Sequence, residues 1–146
     1  MDKEELTQAC SVGFIDYSGI KMTKAENGYA EGYIDILPHH LNPGGALHGG
    51  LVFTIMDTIG GFAARTLGVL PTTLCSNINY LRPTTGVKRL TAKATCIKRG
   101  RNISVVRIDL LDDNDVLVAS GASNYSDLSG RVEDESIKNL ETDQPE

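Results

Sequence analysis

Asp57 is a residue that could do chemistry, because it is the only charged side chain between Leu41 and Ala64. The segment 51–64 is apolar on nearly every side, which predicts a buried helix. A buried carboxylate without a partner either costs several kcal/mol or takes up a proton, so a lone acid in such a helix indicates a working site. The structural alternative is that Gly60 and Gly61 allow tight helix packing while Asp57 caps a neighbouring loop.

The Gly-rich segment 42–50, which precedes this helix, offers a second kind of chemistry. The first N–H groups of a helix have no partners within the helix and carry the positive end of its dipole. The backbone at His48, Gly49 and Gly50 would therefore suit a developing oxyanion, although an ordinary Gly-rich loop explains the same residues. Asn42 either caps or orients the loop, or points into the site.

A helical projection predicts the surroundings of Asp57. At about 100° per residue, its stripe holds mostly small neighbours: Gly50, Phe53, Thr54, Gly61 and Ala64, with Gly60 beside them. A different, wholly apolar stripe is suited to packing on a sheet: Val52, Ile55, Met56, Ile59 and Ala63. Asp57 is thus expected to face a shallow groove, in which Gly60 and Gly61 leave room for a slim ligand or another backbone.

Hydrophobic periodicity predicts the elements that position these residues. The expected order is a helix at Asp2–Ala9, strands at Cys10–Tyr17, Ile20–Ala25 and Tyr29–Ile36, the central helix, and strands at Thr72–Leu81, Val87–Lys98, Ile103–Leu111 and Val116–Tyr125. Asn27-Gly28 predicts a hairpin turn, and 112–115 another turn. Short connections imply antiparallel pairing, so the sheet should wrap around the helix and hide its remaining face or edge in an oligomer.

The length of 146 residues suits one domain, at residues 1–127. Residues 130–146 hold six acids against two bases, which predicts that 128–146 form a disordered acidic tail. No apolar run is long enough to span a membrane, and the charged N-terminus does not resemble a secretory signal. Cys10, Cys75 and Cys96 are expected to be reduced, buried thiols of a cytoplasmic protein, and no ligand spacing for zinc is present.

The segment 42–57 resembles the active-site signature of hotdog-fold acyl-CoA thioesterases of the phenylacetic-acid-degradation type, within the 4-hydroxybenzoyl-CoA thioesterase superfamily. The likeness extends through Asn79-Tyr80-Leu81-Arg82-Pro83, Lys98-Arg99-Gly100-Arg101 and Val118-Ala119-Ser120-Gly121. It implies an α+β hotdog fold, in which a long helix is wrapped by a curved antiparallel sheet, and assembly into homodimers or homotetramers. It also implies hydrolysis of acyl-CoA thioesters with an aromatic or medium-chain acyl group, and no cofactor or metal beyond the coenzyme A of the substrate.

The same resemblance implies roles for individual residues. Asp57 would act as general base or nucleophile, Thr73 would position it or the attacking water, and Gly49 would polarise the carbonyl. His48 and Asn42 would lie near the departing sulfur, with the site spanning two chains. Residues expected to bind substrate are Gly50, Phe53, Gly61 and Tyr80, with Phe53 near the acyl end.

A basic segment from Arg82 to Ile108 carries eight Lys or Arg residues and no acid. Coenzyme A carries phosphates that such side chains can pair with, so the candidates at predicted strand ends are Arg82, Lys98, Arg99 and Arg101. A solvated surface is the alternative for each of them. Nucleic acid is a poorer partner for this segment, because the patch is small, aromatic residues make up 5% of the chain and no binding motif is present.

Three other functions remain open from the sequence. A hotdog enoyl-CoA hydratase or dehydratase would need a catalytic histidine working with an acid, and the pair His39-His40 invites that reading. A non-catalytic acyl-CoA-binding hotdog protein would bind the thioester without releasing thiol. A structural oligomer with a vestigial site would bind no ligand.

Overall fold

The computed structural model describes residues 1–128, which form three α-helices, a short 3-10 helix at Pro38–His40 and one six-stranded antiparallel sheet. The helices are α1 (Lys3–Ala9), α2 (Gly13–Ser18) and α3 (Gly49–Arg65), and the strands are β1 (Ile20–Glu26), β2 (Tyr29–Asp35), β3 (Pro71–Tyr80), β4 (Arg89–Arg99), β5 (Ile103–Leu111) and β6 (Leu117–Asp127). The strand order is β1-β2-β4-β5-β6-β3. Of the tail expected at 128–146, all but Leu128 lies outside the described residues.

The turns form where the sequence predicts them. Asn27 and Gly28 have φ angles of 47° and 80°, so both occupy the left-handed region that a two-residue hairpin turn between β1 and β2 requires. Asp115 also has a positive φ, of 59°, in the turn between β5 and β6. Asp2 caps α1 by accepting the Glu5 N–H, as its position suggested.

The sheet wraps around α3 and forms the core against one side of it. The predicted apolar stripe is confirmed, because Val52, Ile55, Met56, Ile59 and Ala63 are all buried. Their partners are small or branched residues on the concave face of the sheet: Ala30, Ile34, Leu90, Ala92, Ala94, Val106, Ile108 and Leu110. Irregular register at Met22/Lys24, Thr73/Cys75 and Cys96/Lys98 adds local twist, which helps a sheet to curve around a helix.

Strand β3 is an edge of the sheet and pairs only with β6 among the described residues. Most of its side chains are exposed, and Leu74 and Tyr80 each expose 55% of their surface. Long edge strands with exposed apolar side chains are ready to pair with another chain. This edge is therefore where the molecule could extend its sheet.

Two expectations are wrong. Residues 10–17 do not form a strand: α2 covers Gly13–Ser18 and ends at Gly19, whose φ is 74°. These residues favour strands but form a helix, because Ile15 packs against the core on one side. Phe14 and Tyr17, which are three positions apart, stay exposed on the other side of that helix. Cys75 is exposed because it lies on the edge strand, whereas Cys10 is buried and Cys96 partly buried.

None of the helices between Met1 and Leu128 combines the length and apolar character needed to cross a bilayer.

Candidate active site

Asp57 lies midway along α3, on the side that the sheet leaves uncovered, and is half-buried rather than buried. The Thr73 hydroxyl donates a 2.8 Å hydrogen bond to Asp57 Oδ1. This contact joins the edge strand to the helix and leaves the second carboxylate oxygen for another partner. The pair opens into a cleft of about 240 Å³, lined by Ile15, Asp57, Thr58, Gly61, Phe62, Arg65, Pro71, Thr73 and Tyr125.

Tyr125 of β6 contacts the part of α3 that carries Asp57. Its hydroxyl donates a 2.9 Å hydrogen bond to the backbone carbonyl of Asp57, and its side chain is 1% exposed. Burial, and secondarily the negative charge of Asp57, raise the pKa of the Tyr125 phenol well above its ordinary value, so the phenol stays a neutral donor. Gly60 makes room for this hydroxyl, since a Cβ there would collide with it and with Ile108.

The expected role of Gly60 is therefore corrected: the space it leaves belongs to Tyr125 and not to a ligand. Gly61 differs, because a Cβ at that position would meet only the Tyr125 ring, at an ordinary 3.8 Å. Gly61 faces the cleft beside Asp57. One glycine of the pair thus serves packing, as the structural alternative held, and the other keeps the cleft open.

His48 is the N-cap of α3. Its Nδ1 accepts the Gly50 N–H at 3.0 Å, and its carbonyl accepts the Leu51 and Val52 N–H groups at 2.9 and 3.2 Å. A ring that accepts at Nδ1 carries the proton of its neutral form on Nε2. The Gly49 N–H, in contrast, has no hydrogen-bond acceptor within residues 1–128, so it is the donor still available at the positive end of α3.

Tyr80 and Asn42 hold the backbone around Gly49. The Tyr80 hydroxyl donates to the Gly49 carbonyl at 2.9 Å. Asn42 Oδ1 accepts the Gly44 and Ala46 N–H groups at 2.9 and 3.2 Å, so its loop-orienting role is present. Asn42, Gly49, Tyr80 and Arg82 also share a cleft of about 390 Å³ with the apolar residues around them.

The structure brings the predicted site residues together in two groups. Asp57, Thr73 and Gly61 form one, and Asn42, His48, Gly49, Gly50 and Tyr80 form the other. Asp57 lies eight positions after Gly49 on α3, which is about 12 Å along the helix axis. The Asp57 cleft also shares no lining residue with the clefts at the helix start. A single chain therefore does not bring the carboxylate and the free N–H to one reacting atom.

The four candidate cations differ in their surroundings. Arg82 donates to the Leu117 carbonyl at 2.6 Å, and Arg99 pairs with Asp127 at 3.2 Å and bonds the Gly100 carbonyl. Lys98 and Arg101 are exposed. Arg82 follows the end of β3. The turn after β4 lies near the opposite end of β3, because Arg99 pairs with Asp127 and Asp127 is the strand partner of Pro71, the first residue of β3. The ten residues of β3 extend about 30 Å, so these cations form two separate groups in one chain.

The histidine pair that invited a hydratase reading has a local structural role. His40 is 6% exposed, and its Nδ1 accepts the Leu37 N–H at 3.1 Å. Burial, and secondarily the neighbouring His39, lower the pKa of His40. Neither ring lines the Asp57 cleft. Within residues 1–128, no group of three His, Cys, Asp or Glu side chains is arranged to hold a metal ion.

Sequence reasoning missed two parts of the site. One is α2, whose residues Phe14, Ile15 and Tyr17 line clefts on the uncovered side of α3. The spacing of Phe14 and Tyr17 by three was the available signal, but β-branched and aromatic residues favoured a strand. The other is Tyr125, whose contact with Asp57 joins positions 68 residues apart and leaves no local pattern.

Comparison with known proteins identifies the family. The family described as the Thioesterase superfamily matches residues 44–119. The acyl-coenzyme A thioesterase PaaI of Escherichia coli is 25% identical over 114 residues, which cover 78% of this chain and 81% of that protein. The crystal structure of the thioesterase HI1161 from Haemophilus influenzae superposes with a TM-score of 0.78 at 31% identity, covering 86% of this chain and 90% of its own.

A hypothetical thioesterase from Streptococcus pneumoniae, solved with coenzyme A, superposes with a TM-score of 0.71 at 29% identity and covers 74% of this chain and 87% of its own. The matched segment 44–119 contains Gly49, Asp57 and Thr73 and spans more than half of the chain. The chain therefore belongs to the thioesterase superfamily, with the hotdog fold and the thiolester-hydrolase class that its sequence predicted.

Proposed function

We propose that the protein hydrolyses acyl-CoA thioesters to a free acid and coenzyme A, at a site formed by two chains. The observation that carries this proposal is the split arrangement on α3. The Asp57–Thr73 pair opens on the uncovered side of the helix, and the unpaired Gly49 N–H lies about 12 Å away along its axis. Both groups must reach one thioester carbonyl, so a second chain supplies the missing half.

Gly49 is the group that would stabilise negative charge on the carbonyl oxygen. Its N–H has no acceptor among the described residues and lies at the positive end of α3, where an oxyanion is favoured. The Gly50 N–H is held by His48, so Gly49 is the principal backbone donor. Tyr80 fixes the same peptide segment by bonding to the Gly49 carbonyl.

Asp57 would drive the attack on the carbonyl carbon. The Thr73 hydroxyl holds Oδ1, which orients the carboxylate and leaves Oδ2 to take a proton from water or to attack directly. If water attacks, the tetrahedral intermediate collapses with cleavage of the C–S bond and releases the free acid and the thiol of coenzyme A. If Asp57 attacks, C–S cleavage leaves an acyl-aspartate anhydride, which water then hydrolyses to the free acid and the regenerated carboxylate. With its Nε2 proton, His48 would donate to the departing sulfur, and Asn42 would lie close to it.

The surface of β3 supports assembly of two chains. Within residues 1–128, β3 has one edge without a partner strand, and its apolar residues Leu74 and Tyr80 are exposed, as is Phe53 of α3. Covering this surface with a second chain would bury apolar area and would enclose Asp57, which is only half-buried in one chain. Assembly of two chains would also give Arg82 of one chain and Arg101 of the other the opportunity to bind the phosphates of a single coenzyme A.

The relatives support the chemistry. PaaI is named for acyl-CoA thioester hydrolysis, and the S. pneumoniae protein was solved with coenzyme A. The substrate that follows for this chain is an acyl-CoA, bound with its phosphates near Arg82, Lys98, Arg99 and Arg101.

A panel of acyl-CoA thioesters assayed with a thiol reagent tests the activity directly. Release of free thiol by the purified protein, with loss of about 10²-fold or more in kcat on Asp57→Asn, is the expected result. Hydration of an enoyl-CoA would instead indicate a hydratase. Tight binding of every acyl-CoA without thiol release would indicate a non-catalytic binding protein.

Mixed oligomers test the two-chain site. Chains that carry Asp57→Asn and chains that carry Gly49→Pro are co-expressed with different tags, and the hetero-oligomer is purified by two affinity steps. Each variant alone should be nearly inactive, whereas the mixed dimer should recover about half of the wild-type activity, because one of its sites keeps both groups. Absence of recovery would mean that each site lies within one chain. A mixed oligomer of wild-type and Asp57→Asn chains serves as the control.

A further inference from the structure

The short helix α2 carries aromatic side chains that the proposed chemistry does not use. Phe14 and Tyr17 expose 64% and 79% of their surface, although the chain has only three Phe and five Tyr. Burial of such a side chain is worth about 1.5–3 kcal/mol, so large aromatics left in water side by side indicate a binding surface. The three phenylalanines, Phe14, Phe53 and Phe62, all lie on α2 or α3.

This helix borders both halves of the proposed site. Ile15 lines the cleft that contains Asp57 and Thr73. Phe14, Tyr17 and Ser18 line a second cleft, of about 470 Å³, together with residues at the start of α3: His39, His40, His48, Gly50, Leu51 and Thr54. The aromatic residues therefore stand next to the backbone that would bind the thioester carbonyl.

The two clefts that flank the start of α3 differ in charge. The one on the Tyr80 side contains Arg82, a cation suited to coenzyme A phosphate. The one on the α2 side is lined by aromatic, aliphatic and hydroxyl-bearing residues and by three histidines, with no Asp, Glu, Lys or Arg among the described residues. A thioester whose carbonyl is bound at Gly49 would therefore direct its coenzyme A toward Arg82 and its acyl group toward α2.

We propose that Phe14 and Tyr17 determine which acyl group the protein accepts, an inference that rests on the proposed function. The two side chains would form the wall against which an uncharged aromatic or medium-length acyl group packs. The volume of about 470 Å³ lies in the range of small-molecule sites and far exceeds what an acetyl group fills. The aromatic rings of Phe14 and Tyr17 offer apolar contact to an acyl group in this cleft.

The test compares selectivity among thioesters rather than total activity. The ratio of kcat/KM for phenylacetyl-CoA to that for acetyl-CoA should fall about 10-fold or more in Phe14→Ala and in Tyr17→Ala, as for lost apolar contact in a binding pocket. Phe14→Leu keeps an apolar contact and should retain most of the ratio. The matched control is Val12→Ala, since Val12 is 62% exposed on the same segment but lines neither cleft.

An unchanged ratio in both alanine variants, or an equal change in Val12→Ala, would overturn the inference. Thermal unfolding of each variant should stay close to wild type, because these side chains are exposed. If the wild type releases no thiol from any thioester, the proposed function fails, and titration with the non-hydrolysable phenacyl-CoA and acetonyl-CoA then tests the wall separately. A preference of the wild type for phenacyl-CoA over acetonyl-CoA that is lost in Phe14→Ala would still support the inference. Equal binding of the two analogues by the wild type would reject the inference.

Discussion

Gly49 is a residue at which the proposed chemistry can be removed while the helix that carries it is kept. Gly49 is the first helical position of α3, where proline is well tolerated because that N–H is not used within the helix. The residue before a proline must be extended, and His48 already is, with φ −62° and ψ 129°. Gly49→Pro should therefore delete one N–H and leave α3 intact.

The expected loss follows from the hydrogen bonds at this helix start. The Gly50 N–H is held by His48, and the Leu51 and Val52 N–H groups bond the His48 carbonyl. The Gly49 N–H is thus the remaining backbone donor for an oxyanion. Removal of one such donor lowers kcat by about 10²–10³-fold, or about 2.7–4 kcal/mol, and the lack of a second free donor favours the upper part of that range.

Steady-state release of free thiol from the best acyl-CoA measures kcat and KM for each variant. Gly49→Ala is the matched control, because it keeps the N–H and its Cβ would meet the Tyr80 ring and hydroxyl at an ordinary 3.5 Å. It should lose no more than a few-fold in kcat. If a well-folded Gly49→Pro protein turns over within a few-fold of Gly49→Ala, the oxyanion role of this N–H is refuted.

Three further predictions concern the groups around Gly49 and Asp57. Thr73→Val removes the 2.8 Å hydrogen bond to Asp57 and should lower kcat by about 10-fold, whereas Thr72→Val, next to it, should not; equal losses in the two would reject the positioning role of Thr73. Arg101→Ala should raise KM several-fold for acyl-CoA and leave KM unchanged for simple N-acetylcysteamine thioesters, so a matching rise for both substrates would contradict phosphate binding. Tyr125→Phe should lower the free energy of unfolding by about 1–2 kcal/mol at neutral pH, because the Asp57 carbonyl loses its 2.9 Å partner. Because the folded-state pKa of Tyr125 is raised above its ordinary 10.0, its contribution to stability is complete below that pH and declines above it. The difference between wild type and Tyr125→Phe in denaturant titrations should therefore narrow as the pH rises above 10.0, and a constant difference would contradict this.

The sequence was most informative where structure follows from local pattern. The apolar stripe of α3 repeats with the period of a helix, so Val52, Ile55 and Met56 could be assigned to the sheet side before any fold was known. Asn27-Gly28 predicts its turn because few residue pairs accept two positive φ angles. The single charged residue of an apolar helix, Asp57, and the available N–H groups at the start of that helix could also be recognised from the sequence alone.

Local pattern failed where distant contacts decided the outcome. Residues 13–18 have strand propensity but form α2, because packing of Ile15 on the core outweighs a weak local preference. Gly60 lies next to Asp57 in sequence but faces Tyr125, a contact that only the folded sheet creates. Cys75 is exposed because β3 forms an edge, and an edge position depends on the order of strands rather than on the strand itself.

By itself, the sequence determined the chemistry that is available: one carboxylate, a helix start with a free N–H, and a hotdog arrangement of elements around them. Only the tertiary structure decided which groups meet. It joined Thr73 to Asp57 across 16 residues, separated both from Gly49 along a rigid helix, and set α2 beside the start of α3. The physical reason is that periodicity records which face of an element is buried, whereas the partner of that face depends on how the whole chain packs.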